Sequence, residues 1–357
     1  DFIGHSLGQA PATAVLECGQ QFGEYQILRE IGRGGMGVVY EAFHLGLERR
    51  VALKVLSGRS FEDERQRERF LLEAKTAAGL HHTNIVPIFE VGELDGVCYY
   101  AMQFIQGQSL GAIVRSLRNR ARKAGPADTT IFPPGTVVRD ERSPAADAGS
   151  NESEEKPDSS AGESPATTPP SGRATDLPSK AAPQLAAQAS ARFRLAEGPV
   201  SDRYFREAAR VIAQAADALS HAHVHDVVHR DVKPSNLILD GEGRIWVADF
   251  GLAFRSDDPA QSGSDAVGTP AYMSPEQVRT GSAPVDRRTD IYSLGATLYE
   301  LLTLRPIFEG ATSLSVLTQI ATVDPVPPRR DNPRIPRDLD SIVRKATAKR
   351  PEDRYGD

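Results

Sequence analysis

The sequence predicts an α+β protein of two unequal lobes: a small antiparallel β lobe carrying one helix, then a larger, mainly α-helical lobe. Three observations point there. Short runs of β-branched and aromatic residues crowd the first hundred positions. Apolar residues at helical spacing dominate the chain after Ser201. Between them lies a stretch, about 119–200, whose composition fits neither pattern.

The strand-like runs are Y-Q-I-L-R-E-I from Tyr25, G-V-V-Y-E-A-F from Gly37 and R-V-A-L-K-V-L from Arg50. N-I-V-P-I-F-E-V-G and V-C-Y-Y-A-M-Q-F follow, with E-L-D-G between them as a hairpin turn. Residues 61–80 are predicted helical, because Phe70, Leu71, Ala74, Ala77 and Ala78 share one face. In the second lobe Phe205, Ala208, Ile212, Ala215 and Leu219 mark one buried helix; Ile291, Leu294, Leu298 and Leu301 mark another. The expected division is a leader or linker over 1–24, a first lobe over 25–105 and a second lobe over 106–357. No repeat of fixed period is present.

The stretch 125–200 holds 11 of the 25 prolines and two aromatics, Phe132 and Phe193. It cannot bury enough apolar surface to offset its ordering entropy, so a disordered insertion is expected at about 119–200. Two readings of it stand: a tolerated surface loop, or a docking or phospho-acceptor segment, given S-N-E-S-E-E and several Ser-Pro and Thr-Pro pairs.

Composition excludes other classes. A net charge of −6 and a pI near 5.8 argue against a nucleic-acid backbone binder. No run of eighteen apolar residues occurs, so no membrane segment is expected within the chain. The first residues lack the basic and apolar regions of a secretion signal. Two cysteines, Cys18 and Cys98, cannot make a disulfide framework or a zinc site; they read as reduced thiols of a cytoplasmic protein. Starting at Asp1 and stopping after R-P-E-D-R-Y-G-D, the chain is expected to be a piece of a longer protein.

Chemistry enters with G-R-G-G-M-G-V-V: Gly32, Arg33, Gly34, Gly35, Met36, Gly37, Val38 and Val39. Such glycines are weak evidence alone. A dinucleotide-binding turn would use them to open a helix, whereas here a strand-like run follows. On a hairpin, glycines let backbone approach phosphates closely. Lys54 stands in an apolar strand run, seventeen residues after Gly37. Alone it reads as a lysine snorkelling from a sheet edge, and Glu73 as a solvated helix charge. Together they fit better as a pair: a helix carboxylate holding a strand ammonium toward the glycine hairpin, where a polyphosphate would lie.

The decisive motif is H-R-D-V-K-P-S-N at 229–236. Six specified positions at roughly 1 in 20 each would arise by chance in fewer than about 1 in 10^5 chains of this length. D-F-G stands at 249–251 and S-P-E at 274–276. In this order, Asp231, Asn236 and Asp249 fit metal coordination better than turn formation.

These motifs resemble the eukaryotic-type protein kinase family, specifically its bacterial serine/threonine members, over about residues 25–355 outside the insertion. The resemblance implies the two-lobed kinase fold and transfer of the ATP γ-phosphate to Ser or Thr hydroxyls of proteins, autophosphorylation included. It implies that Lys54 holds the α- and β-phosphates and pairs with Glu73. Asp231 would orient the acceptor hydroxyl and take its proton, and Lys233 would steady the γ-phosphate. Asn236 and Asp249 would ligate magnesium, with manganese as the alternative ion. Ile31, Val39, Ala52 and Ile238 would sandwich the adenine, with Met102 behind it and the segment from Gln103 to Ile105 along its edge. D-x-K at 231–233 resembles the Ser/Thr branch, and G-T-P-A-Y-M at 268–273 the segment that receives the residue after the acceptor. Thr269 would hydrogen-bond Asp231.

Two structural pairings are also implied, Glu276 with Arg354 and Asp290 with the H-R-D backbone. Arg230 would meet an activation-loop phosphate, with Ser256, Ser262 and Ser264 as candidate acceptors. Gln103 departs from the family by standing where an acid is frequent. Family members often anchor in the membrane beyond the kinase domain, and a homodimer is left open as an activating form. The competing reading is a catalytically silent pseudokinase acting as an ATP-binding scaffold.

Overall fold

Alternation along the early strands builds a sheet with two different faces. In the computed structural model, which describes residues 16–34, 37–56, 74–75, 77–123, 201–250, 270–279 and 285–356, six strands pair antiparallel: β1 (Gln21–Phe22), β2 (Tyr25–Gly34), β3 (Gly37–His44), β4 (Arg49–Leu56), β5 (Ile88–Leu94) and β6 (Val97–Gln103). Their order is β1-β2-β3-β4-β6-β5. Val51, Leu53 and Val55 of β4 join Val38, Tyr40 and Ala42 of β3 in an outer core. Ala52 and Leu56 face the other way, into a core shared with the second lobe. Strand β4 is therefore buried on both faces, which explains its unbroken apolar run. The expected turn before β6 is present: Asp95 and Gly96 both take positive φ, 50° and 78°, as a two-residue hairpin of right-handed twist requires.

The second lobe opens with β7 (Gly107–Ser109) and α1 (Leu110–Lys123). Helix α2 (Asp202–Val224) starts where Ser201 Oγ accepts the amide of Tyr204. Strands β8 (Leu237–Asp240) and β9 (Ile245–Val247) complete a three-stranded sheet with β7. Then come α3 (Pro275–Val278), α4 (Arg288–Thr303), α5 (Ser313–Thr322), α6 (Pro328–Asp331) and α7 (Arg337–Ala346). Helix α4 is the axis of this lobe, with nearly every residue buried. A fully buried leucine such as Leu301 contributes about 1.5–3 kcal/mol relative to exposure, so α4 is a firm anchor for the loops that pack on it.

Backbone joins the lobes. Ile85 pairs with Val247 in parallel, Val86 N donates to Val247 O at 2.9 Å, and Val247 N donates to Asn84 O at 2.8 Å. Asn84 Nδ2 adds a bond to Ile245 O.

Several boundaries differ from expectation. Part of the expected leader packs on the first lobe: Leu16 and Phe22 lie in the outer core, and β1 pairs with β2. A strand of two residues is too short for periodicity to register. The run from Asn84 splits into the interlobe bridge and β5, which starts at Ile88. The boundary expected near 119 falls inside α1, whose last turn is basic, suiting the helix dipole. Of the predicted helix over 61–80, residues 74–75 and 77–78 are helical; Phe70, Leu71 and Glu73 lie outside the described residues, as does the stretch 124–200.

Candidate active site

The glycine hairpin is the link between β2 and β3, where Gly34 pairs with Gly37. Two register irregularities interrupt β2, between Ile27 and Arg29 and between Glu30 and Gly32, before regular pairing resumes to the hairpin tip. The glycines differ in need. A Cβ at Gly37 would meet Val55 O at 2.3 Å, whereas one at Gly34 would meet nothing within 4 Å. Gly37 thus serves the close approach of β3 to β4. Gly35 and Met36 lie outside the described residues.

Below the hairpin, the shared core gathers most of the expected adenine contacts. Ala52 and Met102 are buried in it, and Val39, Ile105 and Ile238 pack against it half-buried. These residues come from β3, β4, β6, the segment after β6, and β8, so both lobes line one place. Two expected residues stand apart. The Val38 side chain is 1 % exposed in the outer core, on the opposite face from Val39; strand alternation sends neighbours to opposite faces, and only its backbone is left for a ligand. Ile31 is 38 % exposed and outside the shared core. Arg33 is exposed and pairs with Glu30 at 2.6 Å. Gln103 pairs in register with Val51, and its amide donates to Pro87 O.

Lys54 crosses the cleft. Its Nζ donates to Asp249 Oδ1 at 2.9 Å, and Tyr100 OH donates to the same oxygen at 2.8 Å. Burial alone would raise the pKa of Asp249, but the charge and hydrogen bond of Lys54 and the bond from Tyr100 hold it below the ordinary value. The expected pairing of Lys54 with Glu73 falls outside the described residues.

The H-R-D segment is held from two sides. His229 is fully buried; its Nε2 lies 3.0 Å from Ala248 O, and its Nδ1 accepts from Asp231 N at 3.3 Å. One neutral tautomer satisfies both, with the proton on Nε2. Ala248 N donates to Asn236 O, tying the strand before Asp249 to the loop. Asp231 Oδ2 accepts from Lys233 Nζ at 2.7 Å and Asn236 Nδ2 at 3.1 Å. Asp231, Lys233 and Asn236 thus share one cluster of bonds, Lys54 and Asp249 share another, and the Ala248 backbone bond to Asn236 brings the two side by side.

Two of these positions carry unusual backbone. Arg230 has φ 64° and Asp249 has φ 60°, a region that costs on the order of 1–3 kcal/mol for residues with side chains. Asp290, fully buried in the first turn of α4, accepts from His229 N and Arg230 N at 2.8 Å each, as the expected pairing requires. His223 Nε2 lies 2.8 Å from the same carboxylate. The expected pair of Glu276 with Arg354 is bidentate, 2.7 Å at each oxygen. Tyr272 is tied to α4 through its hydroxyl to Glu300, which also takes Arg118 at 2.6 Å. Thr269 and the three candidate acceptor serines lie outside the described residues.

Sequence reasoning missed Tyr100. Adjacent Tyr99 and Tyr100 must face opposite ways, and only the pairing of Tyr100 opposite Lys54 says which points inward.

A strand lobe over a helical lobe, with a lysine of one reaching an acid of the other beside a glycine hairpin, is the architecture of the two-lobed protein kinase fold. The chain belongs to the protein kinase domain family, which matches residues 25–129 and 187–356. Members of this family use ATP and a divalent metal. Relatives include the serine/threonine-protein kinase PrkC of Bacillus subtilis, 30% identical over 334 residues, spanning 93% of this chain and 38% of the relative. PknB of Mycobacterium tuberculosis, also a serine/threonine-protein kinase, is 30% identical over 338 residues, spanning 93% and 40%. The chain thus spans well under half the length of these curated relatives. The crystal structure of the Mycobacterium tuberculosis PknI kinase domain shares the fold, with a TM-score of 0.58, 24% identity and coverage of 96% and 95%. Among the described residues, no helix is long and apolar enough to cross a membrane.

Proposed function

We propose that this kinase domain transfers the γ-phosphate of ATP to Ser or Thr hydroxyls of protein substrates, its own chain among them. The observation that carries this reading is the bond network joining Lys54 of the first lobe to Asp249, and the H-R-D loop to the strand before Asp249. Phosphoryl transfer needs little covalent help; it needs in-line placement and preorganised charge. The adenine would lie between Val39 and Ala52 above and Ile238 below, with Met102 behind, and Lys54 would hold the α- and β-phosphates. Asp231 would accept the hydroxyl proton as the acceptor oxygen bonds to the γ-phosphorus and the bond to the β-phosphate oxygen breaks, releasing ADP. Lys233, 2.7 Å from Asp231, would steady the transferred phosphoryl group.

Magnesium fits the residues present. Asn236 and Asp249 offer amide and carboxylate oxygens, a hard donor set of few protein ligands, as suits an ion that keeps water and shares substrate phosphates. When bound, the ion supplies charge neutralisation of the phosphates. Manganese shares the same donor preference. Cys18 and Cys98, both free thiols, agree with a cytoplasmic setting. The unit proposed is a first lobe from about residue 16 and a second lobe interrupted after α1.

Incubation with radiolabelled ATP, magnesium and a generic basic protein tests this reading beside Asp231→Ala. Wild type is expected to label both itself and the added protein, and Asp231→Ala to lose labelling by at least about 10²-fold. Equal labelling by the two would refute the assignment of Asp231; no labelling by either would leave the scaffold reading in its place.

A further inference from the structure

We infer that Tyr100 is a positioning residue for phosphoryl transfer: its hydroxyl commits one oxygen of Asp249 to the first lobe and so presents the other to the divalent cation. The inference rests on the reading of Asp249 as a cation ligand.

The register of β4 against β6 sets Tyr100 directly opposite Lys54. Directly paired residues share a face, so both side chains point into the cleft. Tyr100 is 1 % exposed, with its ring in the shared core and its hydroxyl reaching out of it. That hydroxyl and the Lys54 ammonium converge on one atom, Asp249 Oδ1, at 2.8 and 2.9 Å. The ammonium also lies 5.7 Å from the centroid of the Tyr100 ring.

The two donors differ in what they can fix. Lysine is a point charge on a flexible four-carbon stem, and it follows a carboxylate that turns. Tyrosine has two side-chain torsions, and here its ring is packed. Turning the Asp249 carboxylate away would break the bond from the phenol, which resists by position, whereas the lysine would follow. Asp249 needs such restraint, because its backbone sits at φ 60°. The same bonds tie the strand lobe to the start of the D-F-G segment, so the cation site is set by the approach of the two lobes. Partners that orient a metal ligand typically matter by about 10–100-fold in metal affinity or activity.

Tyr100→Phe keeps the ring and removes the hydroxyl. The readout is manganese binding to the full chain with a non-hydrolysable ATP analogue, followed by electron paramagnetic resonance of the free ion. Manganese affinity is expected to fall on the order of tenfold, while ADP affinity in chelator stays at the wild-type value. The magnesium concentration for half-maximal labelling is expected to rise by the same factor. Unchanged manganese affinity would overturn the inference, as would an equal loss of metal-free ADP affinity, which would mean a damaged pocket. Asp249→Asn separates the two layers. If it loses manganese and Tyr100→Phe does not, the role of Tyr100 falls alone; if it binds manganese as wild type does, the reading of Asp249 falls and the inference with it.

Discussion

At Asp290 one carboxylate sets the backbone of the catalytic loop. It accepts two consecutive amides, His229 N and Arg230 N, and lies against His223 Nε2. Those bonds hold Arg230 at φ 64°, and with it the direction in which Asp231 leaves the loop. An asparagine would turn an NH2 group toward one of these donors. Asp290→Asn is expected to cost about 1–3 kcal/mol, the penalty of an unsatisfied buried donor, read as a lower urea midpoint, and to lower the labelling rate as Arg230 relaxes. The residues of this loop were legible because H-R-D-V-K-P-S-N is specific as a string. The third partner was not, since His223 lies 67 residues from Asp290 and no local pattern couples them. The inward turn of Tyr100 was equally hidden, because alternation fixes that Tyr99 and Tyr100 differ but not which one faces the cleft.

Elements were easier to read where one period runs long. The stripe of α2 and the strand runs at 25, 37 and 50 are present where the pattern put them, because tertiary burial agrees with local spacing. Short elements and ends were not, as with β1 and with the last turn of α1, where arginines follow Leu117 and the apolar signal stops before the helix does. Helix packing adds a constraint that periodicity does not carry. Gly295 in α4 lies under the end of α7; an added Cβ would meet Ala346 Cβ at 2.7 Å and Thr347 Cγ2 at 3.0 Å. Gly295→Ala gains about 1 kcal/mol in helix propensity. Overpacking costs about 1–3 kcal/mol. The clash is expected to win, and the variant to unfold at lower urea than wild type.

Across the whole molecule, the late chain is tied back to the middle by Arg354. Its side chain is fully buried and holds Glu276 at both oxygens, while Thr289 Oγ1 donates to the same carboxylate. Burial alone would raise the Glu276 pKa, but the hydrogen bonds and charge of Arg354 override it and hold the carboxyl below its ordinary value. As pH falls, the unfolded chain therefore takes up this proton first. The stabilisation is present above the unfolded value and is lost as pH falls through the lower, folded value. Glu276→Gln leaves a buried guanidinium unpaired, and it is expected to cost about 3–5 kcal/mol near neutrality. Urea titrations across the acid range should show that gap narrowing as pH drops; a gap independent of pH would mean that the charge is not what matters. This pairing was legible only through family resemblance, since 78 residues separate its partners.

The core that both lobes share contains Trp246, the single tryptophan of the chain. Its indole is 9 % exposed, with Nε1 donating to Asp240 at 2.9 Å. The molecule thus carries one indole fluorophore, selectively excited at the red edge of the ultraviolet band where its nine tyrosines do not absorb, and seated in the seam rather than on the periphery. Its emission is expected to report the wetness of that seam without any dye or label, so loss of the shared core on unfolding can be followed optically in the unmodified protein.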